Sequence, residues 1–212
     1  MEHSILIALP KGRLFESALG LLDRASICPD GMENGSRKLT FPDKTGKYAF
    51  VALKPVDIPV YVESGVVDVG MVGSDILREQ EPDVFEPLDL RIGLCRVALA
   101  GPAGQDISSA STLHVATKYP RTAERHCAAR HVHAHIVKLE GSVEIAPLLG
   151  LADVIVDLVE TGRTLRENGL TIIEEIASVS TKLIVNRTVM KTKAFEMQEL
   201  LANLDRVVYA NT

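Results

Sequence analysis

Short apolar runs that stop at a turn and hand over to a helical pattern recur along this chain, and that alternation leaves few folds open. Residues 4–9, SILIAL, read as a buried strand. Pro10-Lys11-Gly12 breaks it, and Leu14, Phe15, Ala18, Leu21, Leu22 and Ala25 then line one helical face. Further strands are expected at 48–53 (YAFVAL), 66–73 (VVDVGMVG), 113–117 (LHVAT), 131–139 (HVHAHIVKL) and 152–157 (ADVIVD). Helices are expected at 56–65, with Asp57 as N-cap and Pro59 in the first turn, and over ILREQ after a Ser74-Asp75 cap. Another starts at Tyr119-Pro120 and runs through about Ala129, and one spans 142–150, ended by Gly150. The tail places Met197, Leu200, Leu201 and Leu204 at helical spacing, with Thr192 as N-cap. Residues 28–47, including MENGSRKL and FPDKTGK, read as hairpin turns or loops.

Strands alternating with helices mean α/β architecture. The texture shifts near residue 90, where RIGLCRVALAG (91–101) predicts a long strand leaving one lobe for the next. Residues 170–187 hold two strands with little between them, a second crossing. The expected division is 1–90 plus 178–212 for lobe one and 91–177 for lobe two.

Composition narrows the function. The net charge is −5 and aromatics are 4%, with no Trp, which argues against a general nucleic-acid binder. Cys28, Cys95 and Cys127 are odd in number and form no CxxC, so neither a disulfide framework nor a zinc site is expected, and a reducing cytoplasm fits. The first apolar run is too short for a signal h-region or a membrane span.

The chemistry concentrates at 153–165, DVIVDLVETGRTL, a strand that ends in acids followed by Thr-Gly-Arg-Thr. Backbone N–H groups at such a turn favour anions, Gly162 permits close approach, and Thr161 and Thr164 add hydroxyl donors. Asp157 and Glu160 suit sugar hydroxyls at the edge where open α/β sheets bind ligands. A capped strand–helix turn explains the same residues, and both readings stay open on the residues alone. There is no GxxxxGK[ST] loop. Upstream, Lys11-Gly12-Arg13 puts two cations at a helix start, unfavourable against the helix dipole unless an anion binds there. Lys54 follows its strand in the same way. Asp75 is a helix cap or a nucleotide contact; Lys118 and Tyr119 end a strand, with a phosphate contact or none. His131, His133 and His135 alternate on a strand, more simply a polar face than a metal site, since no carboxylate or thiol completes a set. Cys127 reads as a packed residue.

The frame from Glu144 to Leu165, EIAPLLGLADVIVDLVETGRTL, resembles the signature of the ATP phosphoribosyltransferase family. IALPKGRL (7–14), LKPVDIPVYVESGVVDVGMVGSDIL (53–77) and VATKYP (115–120) extend the resemblance over nearly the whole chain. Phosphoribosyltransferases of the common fold carry two adjacent acids in the loop; here Leu158 follows Asp157, which fits the ATP-specific family. The resemblance implies a two-lobed periplasmic-binding-protein-like (type II) fold with the active cleft between lobes. It implies condensation of ATP with 5-phosphoribosyl 1-diphosphate, with Mg2+, to N1-(5-phosphoribosyl)-ATP and diphosphate, the first step of histidine biosynthesis.

On that footing Asp157, Lys11 and Arg13 are expected to be catalytic, with no residue assigned as a metal ligand. Asp157, Glu160, Thr161, Gly162, Arg163 and Thr164 are expected to bind the phosphoribosyl donor. Lys11, Gly12, Lys54, Asp75, Gly141, Ser142 and Glu144 are expected to bind ATP. The chain resembles the family's short form, without a regulatory domain. That form implies a histidyl-tRNA-synthetase-like regulatory partner and a homodimer of catalytic chains, in the cytoplasm, with no nucleic acid or membrane. Two rival readings are a two-lobed solute-binding protein and the effector half of a transcription regulator. The missing signal peptide weakens the first; the lack of a helix-turn-helix segment and of a basic surface weakens the second.

Overall fold

The structure, a computed structural model, describes residues 4–33, 38–105, 107 and 110–210. In chain order the elements are β1 (Ile5–Pro10), α1 (Phe15–Arg24), β2 (Thr40–Pro42), β3 (Tyr48–Leu53), α2 (Ile58–Glu63) and β4 (Val69–Gly73). Then come α3 (Ser74–Gln80), β5 (Phe85–Asp89), β6 (Cys95–Pro102), β7 (Thr112–Thr117), α4 (Pro120–Ala129), β8 (His133–Lys138) and α5 (Ile145–Leu148). The chain closes with β9 (Val154–Val159), α6 (Arg163–Glu167), β10 (Leu170–Val179), β11 (Thr181–Val185), α7 (Val189–Thr192) and α8 (Ala194–Tyr209). These elements form two units, Met1–Gly93 with Ser180–Thr212, and Leu94–Val179.

The first unit holds a mixed sheet of order β2-β3-β1-β4-β11-β5, in which β3, β1 and β4 run parallel and β11 runs against β4 and β5. The second holds the order β10-β6-β9-β7-β8, in which β8, β7 and β9 run parallel and β6 runs against β9 and β10. Both sheets therefore share a plan. The first parallel strand lies between the second and third, and an antiparallel strand supplied by a chain crossing follows the third. Each crossover helix returns the chain to the starting end, so all the parallel strands of one sheet finish at one edge.

Both faces of each sheet are covered, which is why the central strands are apolar on both sides. In the first unit α1 and α8 pack Phe15, Leu21, Leu22, Met197, Leu200 and Leu204 onto one face. On the other face α2 and α3 contribute Ile58, Val62, Ile76 and Leu77. In the second unit α4 covers one face with Ala123 and Cys127, while Val143, Ala146 and Leu165 cover the other. Asn186, buried in the first unit, joins separate elements. Its Nδ2 donates to Val62 O and Glu63 O at 2.9 and 3.1 Å, and its Oδ1 accepts from Thr188 N and Val189 N at 2.8 and 3.3 Å.

Several expectations shift. Strand β5 was not anticipated: of its five residues only Leu88 is buried, and Pro87 sits where an edge strand tolerates it. The strand expected from residue 91 begins at Cys95, because Arg91 and Gly93 take positive φ of 53° and 64° and bend the path. The helix expected over 142–150 is the single turn α5, preceded by Ser142 at φ 50° and stopped by Gly150 at φ 71°. Thr192 ends α7, its hydroxyl donating back to Thr188 O at 3.1 Å, so it is not the N-cap of α8. Asp57 occupies the N-cap position of α2 without a side-chain cap bond, and Ser74 is already inside α3. Within the stretch expected as hairpin turns or loops, 28–47, residues 43–47 connect β2 to the antiparallel β3, and residues 34–37 lie outside the described residues.

Candidate active site

Charged side chains gather at the carboxyl edges of the parallel strands in each unit. In the second, the register sets Val115, Ala116 and Thr117 of β7 beside Val154, Ile155 and Val156 of β9. One step further along, the same register puts Lys118 beside Asp157. Strand alternation turns both onto the face that carries Ala116 and Ile155. Lys118 Nζ lies 3.2 Å from Asp157 Oδ1, and the Asp157 side chain is only 15% exposed. The Leu158 N–H donates to the same oxygen at 2.8 Å. Among the described residues no hydrogen bond reaches Oδ2. Burial pushes the Asp157 carboxyl above its ordinary value; Lys118 and the Leu158 N–H pull it back, and Glu144 adds to the rise.

Thr117 holds this corner together. It is fully buried, its hydroxyl donates to Val156 O at 2.6 Å, and it accepts from the Tyr119 N–H at 2.8 Å. The ends of β7 and β9 are thus clamped, and the Lys118 stem leaves the strand with its ammonium 5.3 Å from the centre of the buried Tyr119 ring. Sequence reasoning weighed Lys118 only for phosphate and missed both its pairing with Asp157 and the role of Thr117. The signal lies in the β7–β9 register, which no local pattern reveals.

Beyond Val159 the chain turns through Glu160, Thr161 and Gly162 into α6. Gly162 stands at φ 70° in the N-cap position, and a Cβ there would lie 3.2 Å from Arg166 Nη1. That guanidinium donates to Thr161 O at 3.1 Å and braces the loop from behind. Thr161 and Thr164 are exposed, and Asn168 Nδ2 bonds Thr164 O at 2.8 Å. Arg163 is exposed and pairs with Glu167 at 2.7 Å, four residues on along α6. Gly141, Ser142 and Glu144 occupy the turn after β8, and Glu144 is the N-cap of α5. The loops following β7, β8 and β9 thus all belong to one sheet edge. A carboxylate with one oxygen unbonded, a cation beside it, and a glycine turn with two exposed hydroxyls suit a ligand bearing both hydroxyls and an anionic group.

In the first unit Pro10 pairs with Leu53, and the Lys11 N–H donates to Leu53 O at 2.8 Å. Lys11 and Lys54 therefore leave neighbouring strands at the same edge, both exposed. Gly12 turns the chain at φ 84°, and Arg13 is exposed just before α1. Asp75 lies in the first turn of α3 after β4, 6% exposed; its carboxylate folds back so that a Cβ on Gly73 would meet Oδ1 at 2.1 Å. Lys11, Gly12, Arg13, Lys54 and Asp75 all follow the carboxyl ends of β1, β3 and β4, and the three cations among them suit a polyanion.

Of the three alternating histidines, His133 and His135 lie on β8, while His131 sits in the preceding turn at φ 59° and is not part of the strand. His114 of β7 stacks on His135 with ring centres 5.1 Å apart. These rings belong to the first halves of β7 and β8, not to the carboxyl ends of those strands. Cys127 is buried on the core face of α4.

The family profile described as HisG, ATP phosphoribosyltransferase, matches residues 54–206. An ATP phosphoribosyltransferase of Caldanaerobacter subterraneus subsp. tengcongensis is 47% identical over 96% of this chain and 97% of its own length. One from Geobacter metallireducens is 44% identical over 98% of this chain and 100% of its own. Among solved structures, a chain of the ATP phosphoribosyl transferase (HisG:HisZ) complex from Thermotoga maritima superposes with a TM-score of 0.83 at 36% identity, covering 96% of this chain and 98% of that one. The periplasmic aliphatic sulphonate binding protein SsuA from Escherichia coli superposes with a TM-score of 0.58 at 14% identity, over 97% of this chain and 68% of that one, a likeness of fold alone. Fold, sequence identity over full lengths and the family profile agree: the chain belongs to the ATP phosphoribosyltransferase family.

Proposed function

We propose that the edge of the second unit holds the phosphoribosyl donor and that the edge of the first unit binds the nucleotide. The family joins ATP to 5-phosphoribosyl 1-diphosphate, giving N1-(5-phosphoribosyl)-ATP and diphosphate, the first step of L-histidine biosynthesis. In this reading the Thr161–Gly162–Arg163–Thr164 turn receives the 5-phosphate, and Asp157, with Glu160, receives the ribose hydroxyls. Lys11 and Arg13 offset charge on the triphosphate or the departing diphosphate. Lys11, Gly12, Lys54 and Asp75 contact ATP, and Gly141, Ser142 and Glu144 are nucleotide contacts of the second unit. The observation that carries the reading is the half-bonded Asp157 carboxylate, with Oδ2 open, one turn before a glycine loop that exposes two hydroxyls.

Adenine N1 attacks ribose C1 as diphosphate leaves, through a cation-like sugar. Such a step depends on alignment and on stabilised charge rather than on a covalent nucleophile. An ionised Asp157 beside the sugar favours the cation-like state. A magnesium ion takes most of its ligands from phosphates and water, with one or two carboxylates. Among the described residues no group of three or more His, Cys, Asp or Glu side chains is placed to hold a metal ion. Glu160, exposed on the loop and assigned here to the donor, would be the carboxylate nearest in sequence to reach such an ion. When bound, the ion supplies charge neutralisation to the leaving group.

The partner is part of the same proposal. The HisG:HisZ complex in which the Thermotoga maritima chain stands supports a hetero-oligomer; in this reading the partner is a histidyl-tRNA-synthetase-like regulatory subunit and the catalytic chains form a homodimer. Among the described residues no helix is long and apolar enough to cross a membrane; we place the protein in the cytoplasm. The deciding experiment incubates the chain with ATP, 5-phosphoribosyl 1-diphosphate and magnesium and follows phosphoribosyl-ATP by chromatography and mass. Absence of product, alone and with the regulatory subunit, overturns the reading.

A further inference from the structure

We propose that Lys118 is a positioning residue for the phosphoribosyl donor: it pins Oδ1 of Asp157, keeps that carboxylate charged in a half-buried place, and leaves Oδ2 turned to the sugar. The inference rests on the assignment of Asp157 to the ribose. Three observations carry it. The parallel register of β7 and β9 puts Lys118 beside Asp157 on one face, and the ion pair is 3.2 Å long. Both internal contacts of the carboxylate, from Lys118 and from the Leu158 N–H, fall on Oδ1. The corner that carries Lys118 is built rather than loose: Thr117 is buried and bonded to both Val156 O and Tyr119 N, and the Tyr119 ring lies under the ammonium.

The physical need is clear. Burial weakens the charged form of this carboxylate, and the charged form is the one that a cation-like sugar needs. The groups that face it are Lys118 from the end of β7, which favours ionisation, and Glu144 from the turn before α5, which opposes it. Its neighbour on β6, Ala98, carries no charge. Lys118 is thus the one cation that the neighbouring elements direct at Asp157 among the described residues, and its loss leaves burial and Glu144 unopposed except by the Leu158 N–H.

The test compares the wild-type chain with Lys118→Met and Lys118→Arg. First, the Asp157 carboxyl is titrated by carbon-13 NMR in the chain without substrate. Second, kcat/KM for 5-phosphoribosyl 1-diphosphate is measured against pH, with magnesium and saturating ATP. In Lys118→Met the Asp157 midpoint moves to higher pH, and the acid limb of kcat/KM moves up with it. At neutral pH kcat/KM for the donor falls roughly ten- to hundredfold, as expected when a reacting group loses its alignment. Lys118→Arg, which keeps the charge, restores the position of the acid limb. A midpoint that stays in place in a folded Lys118→Met chain overturns the proposal through Lys118. A midpoint that moves while the acid limb does not overturns it through the assignment of Asp157 to the sugar. If Lys118→Met fails to fold, Lys118→Gln takes its place in both measurements and the same two outcomes overturn the proposal.

Discussion

Gly162 meets two constraints that a side chain would violate together. Its φ of 70° is left-handed, and a Cβ would crowd Arg166 Nη1 at 3.2 Å. Gly162→Ala should therefore move the guanidinium off Thr161 O and misalign the loop, raising KM for the phosphoribosyl donor by about tenfold or more while KM for ATP changes little. Initial rates at varied concentrations of each substrate check this. Asp157 makes the complementary case, a residue kept at a cost in stability. Its folded-state value is raised mainly by burial, so ionisation works against the fold. That penalty is absent at low pH, where the group is protonated folded and unfolded alike. It grows as pH rises past the unfolded value and is complete above the folded one. Asp157→Asn should thus equal or exceed the wild type in melting temperature at pH 7, lose that advantage at about pH 3, and lose donor turnover. Thermal melts across that range check the sign; a variant less stable at pH 7 than at pH 3, relative to wild type, contradicts it.

At the scale of the element, what could be read from the chain was whatever a local pattern reports. β1, β3, β7, β9 and the face of α1 emerged because their apolar spacing is set by burial on the sheet or beneath a helix. β5 did not, because an edge strand with one buried side chain carries no such pattern. The helix around Glu144 was overextended because IAPLLG is apolar enough for helix, while the positive φ of Ser142 and Gly150 confines it to one turn. The candidate site divides in the same way. Its glycine loop and acids lie in one stretch and were visible, whereas the Lys118–Asp157 pair depends on two strands 39 positions apart being in register. Asn186 is another contact across distance, joining the end of α2 to the start of α7 through four hydrogen bonds. Asn186→Ala should destabilise the first unit by about 2–4 kcal/mol, since buried carbonyls and N–H groups lose partners that water does not fully replace. Urea unfolding followed by circular dichroism measures this; a change below about 0.5 kcal/mol would mean that the junction relaxes freely.

At the scale of the whole molecule, the likeness to solute-binding proteins and the likeness to a transferase carry different weight. The first, at 14% identity, concerns strand order only. Each sheet places its parallel strands' ends together, and such an edge serves binding or catalysis according to the side chains it carries. The second holds at 36% identity over 96% of this chain, and the Thermotoga maritima chain stands in a HisG:HisZ complex. Feedback by histidine need not reside where the chemistry does. A ligand that binds the partner shifts catalysis only through a difference in its affinity for two states of the assembly. The expectation is that histidine leaves the rate of this chain alone nearly unchanged, and that adding the regulatory subunit both alters the basal rate and makes it fall with histidine. Steady-state rates with and without the subunit, across a histidine titration, decide the matter. Full histidine sensitivity in the isolated chain would place the effector site within the catalytic subunit itself.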